Sequence, residues 1–263
     1  MMTVQTPDTR EAGRAREDLP ERRYSPVKEA TDKQRIEMVK DIFSTVTERY
    51  DFLNHFLSLR RDVAWRRFAV RKMSFGATCR LLDVATGTAD LAIGAALRYP
   101  GITAAGVDFI GEMLEAGRIK IAKKGLSDRV RLLEGDALAL PFKDGAFDVA
   151  AMAFGIRNIP DKVRTLREMA RVVAPGGQVM VLEMAFTRNW FSRLLYHSYL
   201  NRILPRIARR ISINPSAYYY LADSIMDFPS PDRFSRMMEE AGLIRVERFK
   251  LTFGATYLYL GRK

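Results

Sequence analysis

Apolar residues along this chain switch between two periods, and the switches mark its elements. From Asp32 onward Ile36, Val39, Ile42, Phe43 and Val46 recur three or four apart. That spacing predicts an amphipathic helix, with Asp32 as its cap. A second helix is expected over about Phe52 to Met73, broken near Leu59. Short apolar runs then alternate with helical periodicity. Arg80–Ala85, Ile102–Asp108, Val130–Glu134, Phe147–Ala153 and Gln178–Glu183 read as strands, and Ala89–Tyr99, Glu112–Lys124 and Asp161–Val173 as the helices between them. The turn Pro175-Gly176-Gly177 is expected to open the last of these strands. Repeated βα units predict an α/β fold, a mostly parallel sheet covered by helices on both faces. Near the end a helix over Asp232–Ala241 stops at Gly242, and two strands follow, Ile244–Leu251 and Thr256–Leu260. No long helix separates them, so they are expected to form an antiparallel C-terminal strand pair. Residues 1–31 show no periodic apolar face and read as a disordered tail.

Composition narrows the class. The 263 residues are 48% hydrophobic, enough for one large domain with a sizeable core. Cys79 is the single cysteine, and His55 and His197 are the two histidines. A disulfide framework is excluded, and no metal site is expected from so few soft ligands. The opening residues are polar and no apolar run reaches the ~20 residues that span a bilayer. The expectation is therefore a cytoplasmic protein with no secretory signal.

Net charge is +12, and it is unevenly spread. Between Met184 and Ala222 there is no Asp or Glu, but there are Arg188, Arg193, Arg202, Arg206, Arg209 and Arg210. This segment carries half the net charge. Trp190, Phe191, Leu194, Leu195, Tyr196 and Tyr199 interleave with the arginines, and Pro205 divides the segment into two expected helices. A basic amphipathic stretch of this kind suits the inner face of an anionic membrane, or a lid over an apolar tunnel. No nucleic-acid motif accompanies the charge, so nucleic acid is not expected as a partner.

The chemistry gathers after the strands. Asp83 to Asp90 (DVATGTAD) lies between a buried strand and a helix. Gly87 there lets a ligand approach the strand–helix turn, and the helix N-terminus behind it offers N–H groups. Asp108 ends the second strand about 20 residues on, where doubly wound folds place a carboxylate for ribose hydroxyls. Asp136 follows the third strand and can accept from an adenine amino group. Acids after three successive strands share one sheet edge, the edge at which open α/β sheets bind ligands. The residues alone leave a nicotinamide cofactor and S-adenosylmethionine both open. The loop lacks the repeated glycines of a pyrophosphate site, which S-adenosylmethionine, having no phosphate, tolerates.

Several motifs in order are similar to the UbiE/MenG quinone C-methyltransferases. They are Arg49-Tyr50-Asp51-Phe52-Leu53-Asn54 with Leu57-Ser58-Leu59 and Trp65-Arg66-Arg67, then Leu81-Leu82-Asp83 with Gly87-Thr88-Ala89-Asp90. Phe154-Gly155-Ile156-Arg157-Asn158 and Tyr220-Leu221-Ala222-Asp223-Ser224 continue the match, which runs from about Arg35 to Lys263. The resemblance implies a class I S-adenosylmethionine-dependent methyltransferase fold, Rossmann-like, over 76–263. Helices at 32–75 would cover the active site, and a basic helical lid would be inserted at about 187–222. It implies S-adenosyl-L-methionine as cofactor, contacted by Asp83, Gly87, Thr88, Asp108, Asp136 and Ala137. The acceptor would be a prenylated hydroquinone of menaquinone or ubiquinone biosynthesis, methylated on a ring carbon. Arg157 would stabilise the phenolate, Asn158 would fix a hydroxyl or water, and Tyr50 with Asp51 would close the site. Peripheral membrane contact is expected through the arginine-rich segment, and a homodimer is left open. Competing readings are a methyltransferase for another aromatic or lipid molecule, and a non-catalytic RNA- or membrane-binding protein on the same fold.

Overall fold

A computed structural model of the chain describes residues 29–46, 55, 58–185 and 216–263. The sequence-expected tail up to residue 28, Tyr50 and Asp51, and residues 186–215 of the basic segment lie outside the described residues.

Five parallel strands and an antiparallel pair form one seven-stranded sheet in the order β3-β2-β1-β4-β5-β7-β6. They are β1 (Arg80–Val84), β2 (Thr103–Asp108), β3 (Val130–Glu134), β4 (Phe147–Ala153), β5 (Val173–Met184), β6 (Ile244–Leu251) and β7 (Thr256–Arg262). The central strands β1 and β4 are mostly apolar and almost wholly buried because both faces are covered, with Asp83 and Asp148 as buried carboxylates within them. Helices α2 (Arg61–Arg71), α3 (Asp90–Arg98) and α4 (Gly111–Lys123) cover one face. There Trp65, Val70, Leu91, Ala95 and Ile121 pack on Leu81, Val149 and Leu258. On the other face α5 (Lys162–Val172) and α7 (Pro231–Glu240) bury Leu166, Met169, Phe234 and Met238 against Leu82, Ala150 and Tyr259. The remaining helices, α1 (Asp32–Val46) and α6 (Ser216–Asp227), meet above the sheet's carboxyl edge, where Met38, Val39 and Ile42 pack on Tyr220.

Two local features differ from the sequence pattern, and one agrees with it. Thr31, not Asp32, caps α1: its Oγ1 accepts from Gln34 N at 3.3 Å while Gln34 Oε1 accepts from Thr31 N at 2.9 Å. This reciprocal pair satisfies two donors that a helix start leaves over. At the expected break, Leu59 and Arg60 are both left-handed, with φ of 51° and 60°, directly before α2; most of the segment ahead of them lies outside the described residues. The turn Pro175-Gly176-Gly177 does not precede β5 but lies inside it. Phe147 pairs with Val173 and Val149 with Gln178, so β5 spends five residues where β4 spends two. The extra residues bulge out next to the C-terminal Lys263, whose carbonyl accepts from Gly176 N at 3.0 Å. Gly177 permits this, because a Cβ there would stand 2.7 Å from the Asp148 carbonyl oxygen.

Candidate active site

The strand order reverses between β1 and β4, and open α/β sheets bind ligands beside that point, at the carboxyl ends of the strands. Here a cavity of about 280 Å³ opens. The loop after β1 supplies Ala85 and Gly87, β2 supplies Asp108 and Phe109, and Asp136, Ala137 and Leu138 follow β3. Phe154, Gly155 and Asn158 come from the loop after β4, and Ile36, Val39 and Phe43 of α1 form the roof.

Backbone strain is concentrated at this edge. Ala85, Gly87 and Ala89 are left-handed, with φ of 52°, 54° and 66°, and Phe154 in the neighbouring loop has φ 61°. Such conformations persist only where surrounding bonds over-determine them. Asp83 provides those bonds. Its carboxylate, 1% exposed, accepts from Thr86 Oγ1 at 2.7 Å and from Ala92 N at 3.1 Å. Burial pushes its pKa up to about 7, although both hydrogen bonds favour the ionised form. Asp83 thus sits under the loop and does not line the cavity. Thr88 is also buried beneath it, accepting from Lys120 Nζ at 3.0 Å, and Lys120 is paired with Asp90 as well.

Asp108 does face the cavity. Its Oδ2 accepts from Gly87 N at 2.8 Å and its Oδ1 from Ile110 N at 3.1 Å. Burial raises its pKa against the pull of these N–H groups. Each carboxylate oxygen retains accepting capacity, so ribose hydroxyls donating there would stabilise the charge that burial disfavours. Asp136 Oδ1 accepts from Leu138 N at 2.8 Å, which holds the carboxylate beside Ala137 and Leu138. With Phe109 and Ile110 opposite in the lining, an apolar slot with acidic ends results. This donor set fits an adenosyl group: acceptors for its hydroxyls and amino group, apolar walls for the base, and no cluster for a phosphate. Among the described residues no group of His, Cys, Asp and Glu gathers to hold a metal.

Arg157 and Asn158 have separate environments. Arg157 NH1 donates to Glu183 Oε1 at 2.6 Å and to the Phe154 carbonyl at 2.7 Å, and its own N donates to Glu183 Oε2 at 3.2 Å. Glu183, at the end of β5, is fully buried. The guanidinium therefore belongs to a buried ion pair that fixes the loop, and it does not line the cavity. Among the described residues the lining's cation is Lys40, 5.6 Å above the Phe109 ring. Asn158 reaches the cavity, and its Oδ1 accepts from Tyr220 Oη at 2.9 Å. Burial pushes the Tyr220 phenol above its ordinary pKa, Arg35 and Arg157 opposing, so the phenol remains a donor at neutral pH. Tyr220 appeared in the sequence only as part of a motif, and 62 residues separate it from its partner. Arg35 was not foreseen either: its NH2 donates to the Arg157 carbonyl at 2.6 Å and its NH1 lies 3.6 Å from Asp227. His55 lies away from the cavity, bound through Nδ1 to Asp62 at 2.8 Å.

The sheet order, the antiparallel C-terminal pair and a nucleoside-shaped site at the switch point define a Rossmann-like methyltransferase. The methyltransferase bound to the Trm112 activator of Haloferax volcanii superposes with a TM-score of 0.61 at 20% identity, covering 85% of this chain and 96% of that one. A SAM-dependent methyltransferase of Thermotoga maritima gives 0.60 at 22% identity, covering 85% and 99%. At such identities these likenesses establish the fold. The chain belongs to the ubiE/COQ5 methyltransferase family, whose model matches residues 28–263. It is 42% identical over 228 residues to the ubiquinone/menaquinone biosynthesis C-methyltransferase UbiE of Geotalea daltonii, covering 86% of this chain and 97% of the relative. It is 45% identical over 221 residues to the demethylmenaquinone methyltransferase of Thermus thermophilus, covering 84% and 99%.

Proposed function

We propose that this chain transfers the methyl group of S-adenosylmethionine to a ring carbon of a prenylated hydroquinone in menaquinone or ubiquinone biosynthesis. The observation that carries the reading is Asp108, a buried carboxylate on the wall of a largely apolar cavity that Asn158 also lines. Family membership supports it. Bound in the slot, S-adenosylmethionine supplies an electrophilic sulfonium methyl. Asp108 and Asp136 hold its adenosyl end, while Gly87 and Ala137 leave it room. Asp83 and Thr88 act from beneath the loop by keeping Gly87 and the Asp108 anchor in place.

The acceptor carbon becomes nucleophilic as a neighbouring hydroxyl loses its proton, and a phenol near pKa ~10 needs help to do so at neutral pH. Asn158, oriented by the Tyr220 hydroxyl, is placed to fix that hydroxyl or a water beside it. The Arg157–Glu183 pair supports the loop, and the guanidinium, always protonated, favours negative charge developing nearby. Tyr50 is proposed to close the site from outside the described residues. Ile36, Val39 and Phe43 exclude water and present an apolar surface to ring and tail. The arginine-rich segment is proposed as the contact with the inner face of the membrane. No helix among the described residues is long and apolar enough to cross it.

The test is incubation of the purified protein with methyl-labelled S-adenosylmethionine and, separately, a short-tail demethylmenaquinol and the corresponding benzoquinol. Label should enter the ring of one or both. Tyr220→Phe keeps the aromatic packing and removes the hydrogen bond to Asn158. Its kcat should fall about 10- to 100-fold, the cost of slight misplacement, with cofactor affinity within about twofold. Absence of transfer to either quinol would overturn the proposal.

A further inference from the structure

On the face of the sheet covered by α2 and α3, a second groove of about 520 Å³ runs between these two helices. Its floor is apolar, made by Val63 and Val70 of α2 and by Gly94 and Leu97 of α3. Its rim carries four arginines, Arg66, Arg67, Arg71 and Arg98, against one carboxylate, Asp90. Because α3 begins at the loop after β1, Asp90 and His55 mark the end nearest the carboxyl edge, and Arg71 and Arg98 the opposite end.

The charges at the two ends differ in how they are compensated. Arg66 donates to Asp62 Oδ2 at 2.6 Å, and Asp90 is paired with Lys120. Burial alone would raise the Asp62 pKa, but the Ser58 hydroxyl, Arg66 and His55 hold it below the ordinary value. That end is a closed network. Arg67, Arg71 and Arg98 have no carboxylate within ion-pairing distance among the described residues. Arg98 stacks over the Tyr99 ring at 5.5 Å. The helix macrodipole accounts for one cation in a last turn, and Arg71 and Arg98 each occupy one. It does not account for Arg67, which stands four residues before Arg71, a like-charge spacing that destabilises a helix. Leu97 of the groove is 55% exposed. A set of guanidiniums without carboxylate partners among the described residues, beside an exposed leucine and an apolar floor, suits an anionic head joined to an apolar chain.

We infer that the α2–α3 groove is a docking site for an anionic phospholipid of the bilayer surface, with Arg67, Arg71 and Arg98 taking the phosphate and Val63, Val70 and Leu97 the first part of the acyl chain. Arginine suits this role because its planar fork donates bidentately to phosphate oxygens. A free phosphate would use the rim but leave the floor idle. The site is distinct from the arginine-rich segment and does not depend on the identity of the methyl acceptor.

The experiment is flotation of the full chain with vesicles of equal parts phosphatidylglycerol and phosphatidylcholine, and with phosphatidylcholine alone. Arg67→Glu/Arg71→Glu/Arg98→Glu is compared with Arg131→Glu/Arg236→Glu/Arg245→Glu, which makes the same change in net charge at exposed positions elsewhere. The wild-type chain should bind the anionic vesicles. The groove triple should bind roughly tenfold or more weakly, since each basic residue at an anionic surface contributes appreciably, and the control should bind within about twofold of wild type. Methyl transfer to a short-tail quinol by the groove triple should be unchanged. Equal losses in both triples would reduce the effect to net charge and overturn the inference. So would undiminished binding by the groove triple, competition by inorganic phosphate as effective as by anionic vesicles, or no binding by the wild type. Failure of methyl transfer by the wild-type chain would sink the proposed function without touching the vesicle result.

Discussion

Asp108 shows how one side chain can serve loop and ligand together. Its two oxygens already accept from Gly87 and Ile110, so the carboxylate fixes the loop before any cofactor arrives. Asp108→Asn turns one of those acceptors into a donor facing a backbone N–H. Calorimetric titration should show S-adenosylmethionine binding weakened about 10- to 100-fold, in line with the ~1.5–3 kcal/mol of a hydrogen bond to a charged group. Unchanged affinity would remove Asp108 from the proposed adenosyl site. This residue was legible in the sequence, because chain distance from the first loop and position at a strand end are both local properties. The environments of Asp83 and Arg157 were not. Asp83 stands at the same strand end yet points under the loop, and alternation along a strand buried on both faces leaves no polar side to read. Arg157 was expected to stabilise the phenolate, but its partner Glu183 lies 26 residues away, and only the pairing of β4 with β5 brings the two together.

Elements were legible where burial imposes a period. The five parallel strands, their helices and the C-terminal pair stand close to where the apolar runs put them, because a strand covered on both faces tolerates few polar residues. Boundaries governed by hydrogen bonds were less visible. Thr31 and Gln34 exchange bonds at the start of α1, and β5 begins five residues early through a bulge that no hydrophobic pattern encodes. At the far end of the basic segment α6 runs from Ser216 to Asp227. That helix and α1 meet through a tertiary contact, Tyr220 against Val39, which periodicity cannot report. The joint between them rests on Arg35, whose guanidinium reaches both the Arg157 carbonyl and Asp227. Arg35→Ala should therefore loosen the roof of the cavity more than the sheet. Hydrogen exchange should rise in α1 and α6 while the amides of β1 and β4 stay protected, and global stability should fall by about 1–3 kcal/mol. Exchange rising uniformly across the sheet would show that Arg35 is a general stabiliser and not a joint of the roof.

At the scale of the whole molecule, two buried groups of opposite sign lead the response of stability to pH, and Asp108, also raised by burial, acts in the same direction as Asp83. Asp83 is pushed up to about 7 from 3.8, chiefly by burial. Between those values the folded chain holds a proton that the unfolded chain has released, so stability falls as pH rises through this window. Lys162 is drawn down to about 8 from 10.5, first by burial and then by Arg35, with its Nζ bonded to the Ile159 carbonyl at 2.9 Å. Between these two values the unfolded chain holds the extra proton, so stability rises with pH. Asp62 and Glu168 lie below their ordinary values and lose their contribution only as pH falls, Asp62 below both windows and Glu168 across the foot of the acidic one. The two limbs leave a trough between about pH 7 and 8, where both buried groups are charged. Asp83 should contribute about 4 kcal/mol to the acidic limb, from a shift of roughly three units at ~1.4 kcal/mol each. Urea denaturation at about pH 5, 7.5 and 9.5 should show the minimum at the middle value. Asp83→Asn should shrink the acidic limb to the part that Asp108 contributes, leaving the alkaline limb intact, and Lys162→Met should shrink the alkaline limb alone. The Asp83→Asn chain should keep its fold, since the amide oxygen can still accept from Thr86 and Ala92. A profile that stays parallel to wild type in Asp83→Asn would mean that the carboxylate under the cofactor loop is ionised throughout this range, and the trough would then need another origin.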